Sequence, residues 1–205
     1  MNLRRIFFVL LILVLTSCSS LVKITYENGK YIDKTGGFTY LAAGVSYEPV
    51  TVGEEYAQYG KTVLYTIGNL NPKEWLTEKY EGIGSIYYSE KLKLPEFGEF
   101  EPVKVIICVA DVITMGINRV ETQAEIDAIV DIYLHGEQTE LPIDGLASYH
   151  LKCTSDKYPG IYYNLLYVAG RDGRNFIYDR DTKRSVEAGD VLKKYVWNEG
   201  DIGES

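Results

Sequence analysis

The chain has 205 residues, of which 46% are hydrophobic and 24% are charged, a composition typical of a folded protein with one or two domains. Its formal net charge is −8, and because an acidic surface repels phosphate backbones we do not expect nucleic acid as a partner. Tyrosine accounts for 18 residues, against six phenylalanines and two tryptophans. This excess indicates either half-exposed strand faces or a tyrosine-lined binding surface.

The first twenty residues have the layout of a secretory signal peptide. Arg4 and Arg5 precede the ten apolar residues Ile6 to Leu15, whereas a helix that crosses a bilayer needs roughly 20. Small residues follow this apolar run and lead to a cysteine. The resulting segment, Leu15-Thr16-Ser17-Cys18, resembles the lipobox of bacterial lipoproteins, in which an aliphatic residue and two small residues precede a cysteine.

The resemblance implies that residues 1–17 are removed and that Cys18 carries a diacylglycerol on its sulfur. Acylation of the new amino group, for example by palmitate, would strengthen the anchor, since one acyl chain holds a protein only weakly at a bilayer. The expected location is then the extracytoplasmic face of a cell membrane, in either a Gram-positive or an outer-membrane setting. An ordinary signal peptide with an incidental Cys18 is the alternative.

The first half of the mature chain, residues 18–98, is predicted to be a β-rich lobe. Asn28-Gly29 predicts a tight hairpin turn, and Asn71-Pro72 with Glu74 predicts the start of a helix containing Trp75 and Leu76. The longest irregular segment is expected at Gly44–Gly60. The predicted strands are Leu21–Tyr26, Lys30–Asp33, Phe38–Ala43, Lys61–Ile67 and Ile83–Tyr88.

The segment Lys91–Pro102 contains two prolines and is the predicted boundary to a second lobe, residues 99–197. Thr122 and Glu125 form the pattern of a capping box, and the apolar residues that follow it recur with helical spacing up to Gly136. The predicted order of this lobe is β-α-β-β-β-α, followed by an acidic tail at 198–205. Its remaining predicted elements are strands Val103–Ile113, Ser148–Thr154, Ile161–Ala169 and Asn175–Tyr178, and a closing helix Asp190–Val196.

The fold class is therefore predicted to be α+β, with mainly antiparallel strands and two or three helices, arranged as one domain or as two small lobes. The pattern also resembles small uncharacterised α/β domains of Gram-positive lipoproteins. Cys108 and Cys153 each lie in an apolar run, where a buried free thiol packs well, and export would also permit a disulfide between them.

Few residues suggest chemistry. His135 and His150 are the only histidines, and a zinc site would need further ligands. A pair of Cys108 with His150 would require the fold to bring them together, and a thiol in so apolar a run should be inert. Gly82-Ile83-Gly84 lacks the third glycine of a dinucleotide site. Two clusters of carboxylates remain. Asp127 and Asp131 are expected on the solvent side of the helix, and the second cluster indicates either calcium ligands or solvated surface: Asp179, Asp181, Glu187 and Asp190.

No cofactor, metal or catalytic residue is therefore assigned from the sequence, and Cys18 is the single site residue. The preferred hypothesis is a membrane-anchored surface lipoprotein that acts as a binding or interaction module. Its partners would be the lipid bilayer, through the acylated Cys18, and a peptide, a glycan or another envelope protein. The alternative is an envelope hydrolase that uses a carboxylate pair, because such pairs are defined by distance in space.

Overall fold

The structure, a computed structural model, describes residues 21–79, 85–110, 114–141 and 145–196. Cys18, Gly82-Ile83-Gly84 and the tail 198–205 lie outside these residues. The described chain is a β-rich α+β fold with antiparallel strands in two sheets and few helices, which confirms the predicted class. Within the described chain, no helix is both long enough and apolar enough to cross a membrane.

The first sheet closes on itself. The short strands β1 and β2 are separated only by Ile24, yet β1 pairs with β6 and β2 pairs with β3, at opposite ends of the strand order. The segment 22–27 therefore joins the two edges of the sheet. The strands, in the order β1-β6-β7-β8-β9-β4-β3-β2, are β1 Val22–Lys23, β2 Thr25–Glu27, β3 Lys30–Asp33, β4 Phe38–Ala42, β6 Val52–Tyr59, β7 Thr62–Ile67, β8 Trp75–Glu78 and β9 Ile86–Ser89.

The second sheet is open and contains the longest strands. The strand missing from the first sheet, β5, pairs with β13 of the second, so the chain crosses from one sheet to the other and back between β4 and β6. Its strands are β5 Tyr47–Pro49, β10 Lys104–Ala110, β11 Thr114–Val120, β12 Gly145–Thr154, β13 Ile161–Gly170, β14 Asn175–Tyr178 and β15 Ser185–Glu187.

Among the described residues, two α-helices accompany the second sheet. The short α1 spans Phe97–Phe100, and α2 spans Gln123–His135, where the capping-box pattern and the apolar spacing predicted a helix. Ile126, Ile129 and Tyr133 of α2 are buried, so the predicted stripe faces the core. Leu134, also expected on the stripe, is 41% exposed.

The core has two parts. One fills the inside of the closed sheet around Tyr40, Leu64 and Leu76. The larger one lies between the second sheet, the two helices and an outer face of the closed sheet that carries Trp75 and Ile67. The two sheets therefore share apolar contacts across this larger core.

Several predicted elements are wrong. The segment from Asn71 to Glu74 is a turn rather than the start of a helix. The carbonyl of Asn71 accepts hydrogen bonds from the amides of Glu74 and Trp75, and the chain then extends from Trp75 as the buried strand β8. Gly44–Gly60 is not a loop but contains β5 and β6. Shifts of register in β6 interrupt the alternation of buried and exposed residues that would identify a strand. At Asp190–Val196 only a 3₁₀ turn, Lys193–Tyr195, forms. The predicted order of the second half also lacks β11 and β15.

Candidate functional site

A cleft of about 520 Å³ opens where the link between β4 and β5 meets α1, the last turn of α2 and the turn between β14 and β15. Aromatic rings form its walls. The ring centroids of Tyr47 and Tyr163 lie 5.1 Å apart, and the centroid of Phe97 lies 5.0 Å from that of Tyr133 and 5.3 Å from that of Tyr163. We call it the tyrosine cleft, after Tyr47, Tyr133 and Tyr163. Other residues that line it are Leu94, Glu96, Leu134, Asp181, Thr182 and Arg184.

A fully buried carboxylate, that of Asp179, ties the wall of the cleft together. Its Oδ2 atom accepts hydrogen bonds from the hydroxyls of Tyr163, at 2.7 Å, and of Tyr133, at 3.1 Å. Its Oδ1 atom accepts bonds from Ser46 Oγ, at 2.7 Å, and from the Asp181 amide, at 2.9 Å. Strand β13, helix α2, the link before β5 and the turn after β14 are thus joined by this one side chain.

These hydrogen bonds determine the charge of the site. Burial alone would raise the pKa of Asp179, but the donors around it, led by Ser46 and Tyr163, outweigh burial and hold the pKa below its ordinary value. Burial, with the neighbouring Asp179 charge, raises the pKa of Tyr163, and burial raises the pKa of Tyr133 to about 12. At neutral pH the carboxylate is ionised and both phenols keep their protons, so none of the three is suited to exchange a proton with a ligand.

Asp181, two residues further along, holds the opposite lip of the cleft. Its two carboxylate oxygens accept the backbone amides of Val45, at 3.0 Å, and Ser46, at 2.9 Å. Gly44 precedes these amides with φ +88°, and a Cβ atom there would lie 2.3 Å from a carboxylate oxygen of Asp181. Only glycine therefore permits this lip to close on the aspartate.

The cation at the rim, Arg184, also has a structural partner. Its Nε donates to the carbonyl of Tyr133, at 2.9 Å, and its Nη2 donates to the carbonyl of Gly136, at 2.8 Å. The guanidinium thus satisfies the carbonyls at the end of α2, where a positive charge is favoured. The charged residues that line the cleft are two acids, Glu96 and Asp181, and one base, Arg184. The rest of the lining is mostly apolar and aromatic.

The predicted carboxylate groups do not form a metal site. Asp127 and Asp131 lie on the exposed side of α2, as expected, and bond separately to Gln123 and His135. In the second group, Asp179 and Asp181 come together but are occupied by protein donors. Over the four described stretches of the chain, no three His, Cys, Asp or Glu side chains are placed to hold a metal ion.

Cys108 and Cys153 are free and buried, so the structure has no disulfide between them. The register does place Cys108 directly opposite His150 on the neighbouring strand. Burial raises the pKa of the Cys108 thiol, and burial together with Arg180 lowers the pKa of His150. Both groups are therefore favoured in their neutral forms, whereas a nucleophilic pair needs a thiolate.

The abundance of tyrosine in the sequence does not single out Tyr47 or Tyr163 as site residues, and nothing in the sequence singles out Ser46. Tyr47 lies in the segment predicted to be a loop, and the sequence predicts Tyr133 only as part of the helix stripe. Comparison with protein-family models finds no match for the chain. Comparisons with curated proteins and with solved structures also find none. The fold and the cleft thus define a β-rich α+β protein with an aromatic cleft.

Proposed function

We propose that this chain is a lipid-anchored protein of the extracytoplasmic membrane face that binds a peptide or glycan in the tyrosine cleft. The lipobox-like segment ending at Cys18 supports the anchor and the location. The tyrosine cleft supports the binding role, because concave sites with aromatic walls and a few polar groups at the rim are typical of ligand sites.

The hydrogen bonds that the tyrosine hydroxyls already make within the protein favour binding over hydrolysis. Tyr133 and Tyr163 donate their hydroxyls to Asp179, and Tyr47 donates its hydroxyl to the carbonyl of Pro95. The walls therefore offer aromatic carbon rather than free hydroxyls, which suits contact with an apolar side chain or with the apolar side of a sugar ring. A hydrolase remains the second candidate because two carboxylates, Glu96 and Asp181, line the same cleft.

Ligand binding can be tested by thermal shift with residues 19–205, which contain every described element. A panel of cell-wall fragments, oligosaccharides and peptides should include a compound that raises the melting temperature, since a ligand at 100 times its Kd adds about 2.7 kcal/mol of stability. Leu134→Lys should abolish the shift, because Leu134 lines the cleft and is 41% exposed.

Met115→Lys is the matched control, since Met115 is 53% exposed and lies on β11, away from the residues that line the cleft. An equal loss of the shift in both variants would contradict binding in the cleft. Release of product from the compound that binds would instead favour the hydrolase.

The anchor is tested by labelling cells with radioactive palmitate. The native chain should carry the label and should partition into the detergent phase, whereas Cys18→Ala should lose the label and leave the membrane fraction. Ser19→Ala, one residue beyond the cysteine, should behave as the native chain does. A labelled Cys18→Ala protein would show that the acyl group is attached elsewhere and that the lipobox interpretation is wrong.

A further inference from the structure

One open end of the closed sheet carries four tyrosines, which we call the tyrosine mouth: Tyr26, Tyr31, Tyr59 and Tyr87. The ring centroid of Tyr31 lies 4.9 Å from the centroid of Tyr26 and 4.9 Å from that of Tyr87. The ring centroids of Tyr26 and Tyr59 lie 6.0 Å apart. Tyr31 is buried, but Tyr26 and Tyr59 are 46% and 43% exposed. Two large aromatic side chains are thus partly exposed to solvent above the buried ring of Tyr31.

A carboxylate lies beneath these rings. Oε1 of Glu78 accepts the hydroxyls of Tyr31, at 2.7 Å, and of Tyr87, at 2.8 Å, and the residue is only 7% exposed. Among the described residues no lysine, arginine or histidine forms an ion pair with it. The neighbouring Lys79 directs its amino group to the ring of Tyr65, 5.9 Å from the centroid. Lys61 lines a shallow surface cleft that Lys79 and Glu78 also line, but forms no ion pair with Glu78.

A carboxylate removed from water without a positive partner is costly, so a cation at the mouth would be stabilised by it. The faces of tyrosine rings attract cations as well, and ammonium ligands are commonly recognised by several rings together. Tyr31 links the two attractions, because its hydroxyl contacts the Glu78 carboxylate and its ring packs 4.9 Å from that of Tyr26.

We propose that the tyrosine mouth binds an alkylammonium group, with the rings of Tyr26 and Tyr59 against the cation and Glu78 as its counter-charge. The group could be carried by a free amine or by a lipid headgroup, since the chemistry of recognition is the same. This site is separate from the tyrosine cleft, to which none of its residues contributes.

The test is an NMR titration of the full chain in a maltoside detergent, which has no ammonium group. The probes are choline and 3,3-dimethylbutan-1-ol, a neutral compound of the same shape. Choline should bind about tenfold more tightly than the neutral compound, and Tyr26→Ala or Glu78→Gln should remove about this advantage. Tyr65→Ala, on the outer face of the same sheet, should leave choline binding unchanged.

Equal binding of the two probes, or choline binding that Tyr26→Ala does not weaken, would overturn the proposal. Circular dichroism checks that each variant is folded, and Tyr26→Phe, which keeps the ring face, should retain binding. The source is distinguished by repeating the titration in phosphatidylcholine and phosphatidylglycerol vesicles. If the lipid headgroup occupies the site, choline should bind more weakly in phosphatidylcholine vesicles than in phosphatidylglycerol vesicles. Equal choline binding in the two kinds of vesicle supports a free amine as the ligand.

Discussion

Replacing Asp179 with alanine should lower the free energy of unfolding by about 4 kcal/mol, the largest effect expected for a polar residue of this protein. The carboxylate accepts hydrogen bonds from Ser46, Tyr133 and Tyr163, and each buried hydroxyl left without a partner costs about 1–3 kcal/mol. Urea denaturation monitored by tyrosine fluorescence and circular dichroism measures the change.

Asp131→Ala is the control for Asp179→Ala. The Asp131 side chain is 74% exposed and pairs only with His135 on the helix surface, so its loss should change stability by less than about 0.5 kcal/mol. Similar effects of the two substitutions would show that the buried hydrogen bonds of Asp179 contribute little.

Asp179 should also make the protein sensitive to acid. Its pKa is lower in the folded chain than in the unfolded chain, so its contribution is fully present above the unfolded value, about pH 4, and is lost as the pH falls through the folded value. Asp179→Asn cannot titrate and should flatten the dependence of unfolding free energy on pH below about pH 4.

Phe97→Ala should lower the free energy of unfolding by about 3–5 kcal/mol, as truncation of a buried phenylalanine usually does. The ring is 2% exposed and packs edge-on against Tyr133 and at a tilt against Tyr163, so its removal leaves a cavity in the wall of the tyrosine cleft. Thermal and urea denaturation give the size of the loss.

Phe97→Leu keeps most of the volume and should cost less than about 1.5 kcal/mol. The same compounds used for the tyrosine cleft should bind Phe97→Leu nearly as well as the native chain and Phe97→Ala more weakly. A fully stable Phe97→Ala protein would mean that α1 does not depend on this contact with the core.

The elements that the sequence predicted well are those with strong local signals. Asn28 and Gly29 both adopt positive φ, at 53° and 79°, as a tight hairpin turn requires, and β3 has the predicted limits. Helix α2 begins after Thr122 and ends before Gly136, because an apolar stripe with helical spacing between two end signals leaves few alternatives.

The errors occur where tertiary pairing decides the structure. Trp75–Glu78 follows a good helix start, but all four residues are buried between β7 and β9, and their backbone groups pair with those strands. β11 is largely exposed, and β15 has only three residues, so neither carries an apolar pattern that could be recognised. Propensity over so few residues is weaker than the pairing of a sheet.

The tyrosine cleft could not be predicted for a different reason. Tyr47, Tyr133 and Tyr163 lie far apart along the chain. Tyr133 and Tyr163 share the Asp179 carboxylate, and Tyr47 packs against Tyr163 in the same wall. Asp179 was noticed only as one of several acidic residues near the end of the chain. A single sequence contains no signal that these particular residues meet, because their contact depends on the crossing of β5 from one sheet to the other.

In the proposed tethered protein, any pull on the membrane attachment would act first on the segment that closes the first sheet. β1 contributes only two residues to its pairing with β6, and Val22 lies four residues after Cys18. A mechanical load, or a proteolytic cut between residues 22 and 27, would therefore detach this segment before any other strand and expose the interior around Ile24 and Leu64. A load would thus open the sheet while the chain stays tethered, whereas a cut would end the attachment and open the sheet together.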